Sequence, residues 1–214
     1  MRDDGSKPAM NRSDAQALVA EAAEWRLIAL LLERPRTGWH AEVAALAREV
    51  RERALSDAAE AARNATEGEY LRLLGPGRIS PREVSYRTFE DPGRILADLA
   101  ATYAAFAFQP RAEEPVDHLA LEAGFIGYLL LKEAFAVARG DAEAASTTAA
   151  ARRDFLSAHL TAARPFAQRL AAAGHSYLAS SSRALAARVP EHHVPFAQGD
   201  GATDATCGGC GPSA

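Results

Sequence analysis

The chain is poor in the residues that build β-sheets and disulfide frameworks. Its 214 residues include only twelve Val and Ile together, too few for an extended sheet, because strands favour β-branched and aromatic side chains. Both cysteines, Cys207 and Cys210, lie in a Gly-rich C-terminal segment, so no disulfide framework holds the body of the fold. The chain has instead fifty alanines and twenty-two leucines, which are strong helix formers. The composition predicts an all-α protein, which we expect to be a single-domain helical bundle.

A surplus of basic charge and long apolar runs are missing as well. The formal net charge is −4, unlike the basic balance typical of nucleic-acid-binding proteins, so we expect no nucleic-acid partner. The longest dense apolar stretch, Leu119 to Leu131, is about thirteen residues long, whereas a bilayer-spanning helix needs roughly twenty. The N-terminus has no apolar segment of the kind found in export signals. These absences predict a cytoplasmic protein without a membrane span.

Helical periodicity divides the chain into three parts. We expect a flexible N-terminus over 1–12, an all-helical domain over 13–189 and a flexible tail over 190–214, where there is little to bury. The first helix is predicted to be capped by Ser13. Two or three further helices fit between Asp141 and Val189.

A capping box and a long loop mark the middle of the chain. An amphipathic stretch is predicted from about Ser56 to Leu74, and Thr66 and Glu69 form a capping box that restarts the helix before Tyr70. Periodicity then stops between Gly75, which suits the position after a helix end, and Gly93. The segment contains three prolines, and Asp91 before Pro92 restarts a helix. Loops this long are uncommon in compact domains and tend to be functional.

The next helix is predicted from about Pro115 to Arg139. It is apolar nearly all round, which is typical of a central helix surrounded by others. Asp117 is expected to cap it, while His118 and Glu122, four residues apart on one face, form a surface pair. The residues alone therefore describe a well-capped buried helix. A close approach by a neighbouring helix is expected on one side, at Gly124 and Gly127.

The common catalytic and phosphate-binding motifs are missing. The chain has no Glu-x-x-His, His-Glu-x-x-His, Gly-x-x-x-x-Gly-Lys or Gly-x-Ser-x-Gly, so we expect no enzymatic activity and no cofactor. One weak metal signal lies in the tail, where Cys207 and Cys210 follow His192 and His193 and offer four zinc ligands. A tail with two surface thiols is the favoured interpretation, and a metal-delivery protein is an alternative.

Two separate motifs resemble the redox-enzyme maturation chaperones of the TorD/DmsD family. The first is Glu-Pro-x-Asp-His-Leu-x-x-Glu at 114–122, a signature that opens a central helix in that family. The second is Glu-Tyr-Leu-Arg-Leu-Leu-Gly-Pro-Gly at 69–77, followed by Ser80-Pro81 and Tyr86. The resemblance extends over roughly residues 14–189. Arg82 is a departure, since relatives commonly place an aromatic residue after the Ser-Pro pair.

The resemblance implies a cytoplasmic chaperone for a molybdenum-containing oxidoreductase of the dimethyl-sulfoxide-reductase type. Such chaperones bind the twin-arginine signal peptide of the enzyme precursor, or a related N-terminal segment, until the cofactor is inserted. The expected partner is that precursor with its leader, and the chaperone is expected to be a monomer or homodimer. The client-binding residues that the resemblance implies are Tyr70, Gly75, Gly77, Ser80, Pro81, Tyr86, Glu114, Pro115, Asp117, His118 and Glu122.

A receptor for such a leader needs a groove with acid at one end and apolar walls, because the leader has a cationic start followed by an apolar helix-forming stretch. A helical adaptor without a role in export is a further alternative, and it predicts no preference for paired arginines. Whether Asp117 and His118 contact the leader or hold the long loop against the helix stays open. Glu113, Glu114 and Asp117 are candidates for the acid, and Tyr70, Tyr86, Phe89 and Leu119 for the walls.

Overall fold

The computed structural model describes residues 12–110, 114–174 and 176–190. Over these residues the chain folds into nine α-helices and three short 3-10 turns, with no β-strand, which confirms the all-α prediction. None of the described helices is long and apolar enough to cross a membrane. The helices are α1 Arg12–Leu32, α2 Trp39–Ala47, α3 Arg53–Ala61, α4 Glu67–Leu74, α5 Pro92–Ala105, α6 Leu119–Ala138, α7 Ala142–Ala158, α8 Ala163–Ala172 and α9 Tyr177–Arg188.

Two helices form the centre of the bundle. Ala29 of α1 lies beside Gly124 of α6, and Ala22 lies beside Gly127, so the two helices pack antiparallel. A Cβ on Gly127 would lie only 3.2 Å from the backbone oxygen of Ala22, which confirms the predicted close approach. Helices α2, α3 and α9 pack against α1, and α7 packs against α6. Helix α1 is buried continuously over 27–32.

One predicted helix start was wrong. Helix α1 already includes Arg12, so Ser13 lies within its first turn and is not its cap.

The restart of a helix at the Thr66 capping box is confirmed. The stretch from Ser56 to Leu74 is divided between α3 and α4 by a 3-10 turn, and α4 begins directly after Thr66. There the Thr66 hydroxyl accepts a hydrogen bond from Glu69 N (3.1 Å). The prediction of two or three helices after Asp141 is confirmed with three.

Most of the N-terminal segment and of the tail that the sequence predicts to be flexible lies outside the described residues, which begin at Arg12 and end at Pro190. His192, His193, Cys207 and Cys210 lie outside them as well. Within the described ranges no group of three or more His, Cys, Asp and Glu side chains is arranged to hold a metal ion.

Candidate functional site

The loop of residues 75–91, between α4 and α5, is docked on the start of α6. The backbone N–H of Glu83 donates to the carbonyl of Asp117 (2.9 Å), and that of Leu119 donates to the carbonyl of Pro81 (2.9 Å). These two hydrogen bonds form a single antiparallel bridge between the loop and the residues that precede α6. The two motifs that resemble the chaperone family therefore meet in space.

Two glycines shape the beginning of this loop. Gly75 directly follows α4, and a Cβ there would overlap the carbonyl oxygen of Leu71, so only glycine fits. Its φ is −65°, so it does not take the left-handed conformation of many helix-ending glycines. The positive φ belongs to Gly77, at +74°. Both glycines therefore allow backbone positions of the loop that other residues would not.

Asp117 does not cap α6, contrary to the sequence prediction. Its carboxylate is fully buried and turned toward the loop, where it pairs with Arg82. Arg82 Nε donates to Oδ1 (2.9 Å), and Nη2 lies 2.9 Å from the same oxygen. Arg82 therefore places a positive charge beside a buried carboxylate.

His118 is the residue that caps α6. Its Nδ1 accepts a hydrogen bond from Ala120 N (3.1 Å), so the ring proton lies on Nε2, which donates to the hydroxyl of Tyr70 (3.2 Å). Burial, with a smaller contribution from the positive charge of Arg82, lowers the pKa of His118 to about 4. A neutral histidine therefore connects α4 to the start of α6, with the Glu114 carboxylate 3.9 Å from Nε2.

Glu122 forms no surface pair with His118, because both side chains are buried. Both carboxylate oxygens of Glu122 are without a hydrogen-bond partner among the described residues. Burial, followed by the nearby negative charges of Glu83 and Asp117, raises the pKa of Glu122 well above its usual value. This environment favours the neutral carboxylic acid.

Glu83 is a site residue that the sequence reasoning missed. Its carboxylate is fully buried and contacts two side chains, with Arg87 Nη1 at 2.7 Å and His159 Nδ1 at 3.1 Å. His159 follows α7, so this contact joins the loop to the C-terminal half of the bundle. The spacing of four between Glu83 and Arg87 could have indicated their pairing, but not the burial.

The predicted apolar walls do not form an open groove. Tyr70 and Leu119 are buried, and Phe89 stands fully exposed on the loop. Tyr86 is half-buried: its hydroxyl donates to the carbonyl of Ser80 (2.8 Å), and the guanidinium of Arg169 lies 5.0 Å from its ring centre. The structure thus brings most of the predicted residues together, but as the joint between loop and helix.

An open groove lies instead along the seam between α1 and α6. We use the word groove for two neighbouring cavities that share Leu131 as a lining residue, one of about 400 Å³ beside the first half of α6 and one of about 380 Å³ beside the second half. The first cavity is also lined by residues 108–110 and by Glu42 of α2. Val19, Leu131 and Phe135 are 49%, 50% and 64% exposed there. The residues that line it include Arg12, Gln16, Val19, Ala22 and Arg26 of α1 and Leu121, Gly124, Tyr128, Leu131, Phe135 and Ala138 of α6.

The two ends of this groove differ in charge. Near the start of α6, Glu33 and Glu42 line it together with Arg26 and Arg36. Near the end of α6, Arg12 lines it, and the guanidinium of Arg139 lies 5.3 Å from the ring centre of Phe135.

Sequence patterns did not reveal the groove, although its α6 residues repeat at helical spacing. Because α6 is apolar nearly all round, a solvent-facing stripe on it has the same pattern as its core-facing stripes. The α6 residues from Leu121 to Ala138 span about 26 Å, at 1.5 Å per residue.

Comparison with known protein families identifies the family of this chain. A family model described as nitrate reductase delta subunit matches residues 35–171, well over half of the chain. Both motifs, at 69–86 and 114–122, lie within it, and the match confirms their resemblance to molybdoenzyme maturation chaperones. No curated protein and no solved structure matches the chain.

Proposed function

We propose that this chain holds the N-terminal leader of a molybdenum-containing oxidoreductase, because it belongs to the nitrate reductase delta subunit family of molybdoenzyme assembly chaperones. The client is of the dimethyl-sulfoxide-reductase type, and its leader carries paired arginines. The chaperone acts in the cytoplasm, catalyses no reaction, and keeps the leader bound until cofactor insertion is complete.

The observation that carries this proposal is the groove between α1 and α6. A leader contains an apolar stretch of roughly 7–15 residues, which is about 10–23 Å long as a helix. The groove is about 26 Å long by the same measure. The exposed side chain of Leu131 lies at its middle, and those of Val19 and Phe135 line the half beside the end of α6. An apolar helix laid there would cover side chains that are otherwise open to water.

Charge at the ends of the groove favours one direction of binding. The arginines of the leader approach Glu33 and Glu42, since these are the carboxylates that line the groove, although Arg26 and Arg36 line the same end. The carboxyl end of the bound helix, which carries partial negative charge, then lies near Arg12 and Arg139. The leader helix would thus run parallel to α6.

The family-motif residues have a positioning role in this proposal. Asp117, His118, Tyr70 and Glu122 are buried, so they fix the loop and the start of α6 while the leader binds alongside. Gly75, Gly77, Ser80 and Pro81 set the path of the loop. Glu114, Pro115 and Tyr86 have exposed or partly exposed surface from which to reach a bound client, and so do Gly77, Ser80 and Pro81 on the loop.

Titration calorimetry of the full chain with a synthetic twin-arginine leader tests the proposal. Replacing both arginines of the peptide by alanine is expected to weaken binding about tenfold, since each exposed ion pair contributes up to about 1 kcal/mol. Equal affinity for the two peptides would contradict leader recognition and would favour a helical adaptor without a role in export.

Matched variants locate the binding surface. Leu131→Asp places a charge on the wall of the groove and is expected to abolish binding, whereas Leu71→Asp, on α4 and 41% exposed, should leave it unchanged. Phe89→Asp tests whether the leader binds to the loop of residues 75–91 instead. If Phe89→Asp abolishes binding and Leu131→Asp does not, in variants that melt like the parent, the binding site lies on the loop and not in the groove.

A further inference from the structure

The charged end of the groove is closed by two arginines of the chain itself. Arg36 donates two hydrogen bonds to Glu42, at 2.7 and 3.0 Å, and its Nη2 lies 3.8 Å from the carboxylate of Glu33. Arg26 Nη1 donates to the other oxygen of Glu33 at 2.8 Å. The carboxylates that face the groove are thus already occupied by guanidinium groups.

Arg26 and Arg36 lie closer to solvent than the carboxylate of Glu33, which both of them contact. The Glu33 side chain is only 10% exposed, whereas the side chains of Arg26 and Arg36 are 43% and 50% exposed. A guanidinium that arrives from solvent therefore meets Arg26 or Arg36 before it meets Glu33. Either arginine can turn into water without leaving a buried cation behind, because about half of its surface is already hydrated.

We propose that Arg36, assisted by Arg26, is an internal competitor that a leader arginine must displace from Glu42 and Glu33. This inference rests on the proposed leader-binding function and adds to it a determinant of selectivity. Exchange of one guanidinium for another conserves both the charge and the paired hydrogen bonds of the carboxylate. A lysine cannot restore that planar, two-pronged contact, so it competes poorly.

The exchange has a consequence for the dependence of binding on salt. Each leader ion pair that forms replaces an ion pair within the chain, so binding adds fewer ion pairs than it would if Glu33 and Glu42 were unpaired. Salt screens exposed charges in the free and bound states alike. Leader binding by the natural chain should therefore depend less on salt than binding by a variant that lacks the competitor.

Arg36→Gln tests the proposal by calorimetry with the twin-arginine leader at low and high salt. The variant should bind about two- to fivefold more tightly at low salt, the range expected for loss of one exposed internal ion pair, and its affinity should fall more steeply with salt. A twin-lysine leader should gain more from the substitution than the twin-arginine leader does. Arg36→Lys should lie between Arg36→Gln and the natural chain.

Arg34→Gln is the matched control. Arg34 pairs with Glu67 at 3.5 Å, its side chain is 43% exposed, and it does not line the groove. Arg34→Gln should leave the affinity for the leader and the salt dependence of binding unchanged. Thermal melts of both variants separate this role from a purely structural one, since loss of a structural ion pair lowers stability without strengthening leader binding.

The outcomes distinguish the two proposals. If the natural chain, Arg36→Gln and Arg34→Gln all fail to bind the leader, the proposed function is wrong. If the natural chain prefers the twin-arginine leader but Arg36→Gln binds it equally or more weakly, leader binding stands and the internal competitor is wrong.

Discussion

The guanidinium of Arg82 and the carboxylate of Asp117 form an ion pair across 35 positions of the chain, with Nε and Nη2 each 2.9 Å from Oδ1. The two partners differ in burial. The Asp117 side chain is fully buried, whereas 38% of the Arg82 side chain is exposed. The pair connects the loop to the start of α6. Because the partners differ in burial, removing Arg82 and removing Asp117 should change the stability of the fold by different amounts.

Arg82→Ala should therefore destabilise the fold more than Asp117→Ala. Without Arg82, a buried carboxylate is left uncompensated, which lowers the free energy of unfolding by about 3–5 kcal/mol. Without Asp117, the remaining guanidinium can reach water, so the loss should be clearly smaller. Urea unfolding measures the free energy of unfolding of both single variants. The double variant Arg82→Ala, Asp117→Asn should recover part of the stability that Arg82→Ala loses. A larger loss in Asp117→Ala would contradict the view that charge burial dominates this pair.

The two glycines of α6 should respond oppositely to alanine. In Gly127→Ala the new methyl group lies 3.2 Å from the backbone oxygen of Ala22, and this overpacking of α1 against α6 should cost about 1–3 kcal/mol. In Gly124→Ala the methyl group meets only the Cβ of Ala29, at an ordinary 3.7 Å. Better helix propensity should then stabilise the protein by up to about 1 kcal/mol. Thermal and urea unfolding of both variants check the opposite signs.

His118 should make the protein less stable in mild acid. Its pKa is about 4 in the folded chain and about 6.5 in the unfolded chain, so between these values the unfolded chain binds more protons. The contribution of His118 to stability is therefore complete above about pH 6.5 and is lost progressively down to about pH 4. The loss amounts to up to about 3 kcal/mol. His118→Asn, which keeps a capping side chain, should remove this slope from a pH series of urea unfolding curves, and an unchanged slope would contradict the assignment.

Glu122 should act in the opposite direction. Its pKa is raised in the folded chain, so as pH rises above the usual carboxylate range the unfolded chain ionises while the folded chain retains its proton. The stability associated with this group is thus present in acid and is lost with rising pH. Glu122→Gln should be more stable than the natural chain at pH 8 and nearly equal at pH 4. A stability difference that does not vary with pH would show that Glu122 is ionised in the fold.

Local sequence patterns determined the helices and part of their packing. Helical spacing of apolar residues, the Thr66 capping box and the Asp91-Pro92 start are properties of neighbouring residues, and the structure bears them out. The same holds for the close approach at Gly127, because a glycine on a buried helix face leaves room for a backbone. The two motifs also identified the family without any structure.

The tertiary structure alone decided what the motif residues do. A spacing of four places His118 and Glu122 on one face, but it does not say that the face is covered by a docked loop. Asp117 and His118 both have the chemistry of a helix cap. Arg82, which is distant in sequence, attracts the carboxylate toward the loop and leaves the cap to the imidazole. The groove between α1 and α6 could not be predicted for the same reason. An apolar sequence pattern indicates which side chains favour burial, but not which of them are covered by another part of the fold.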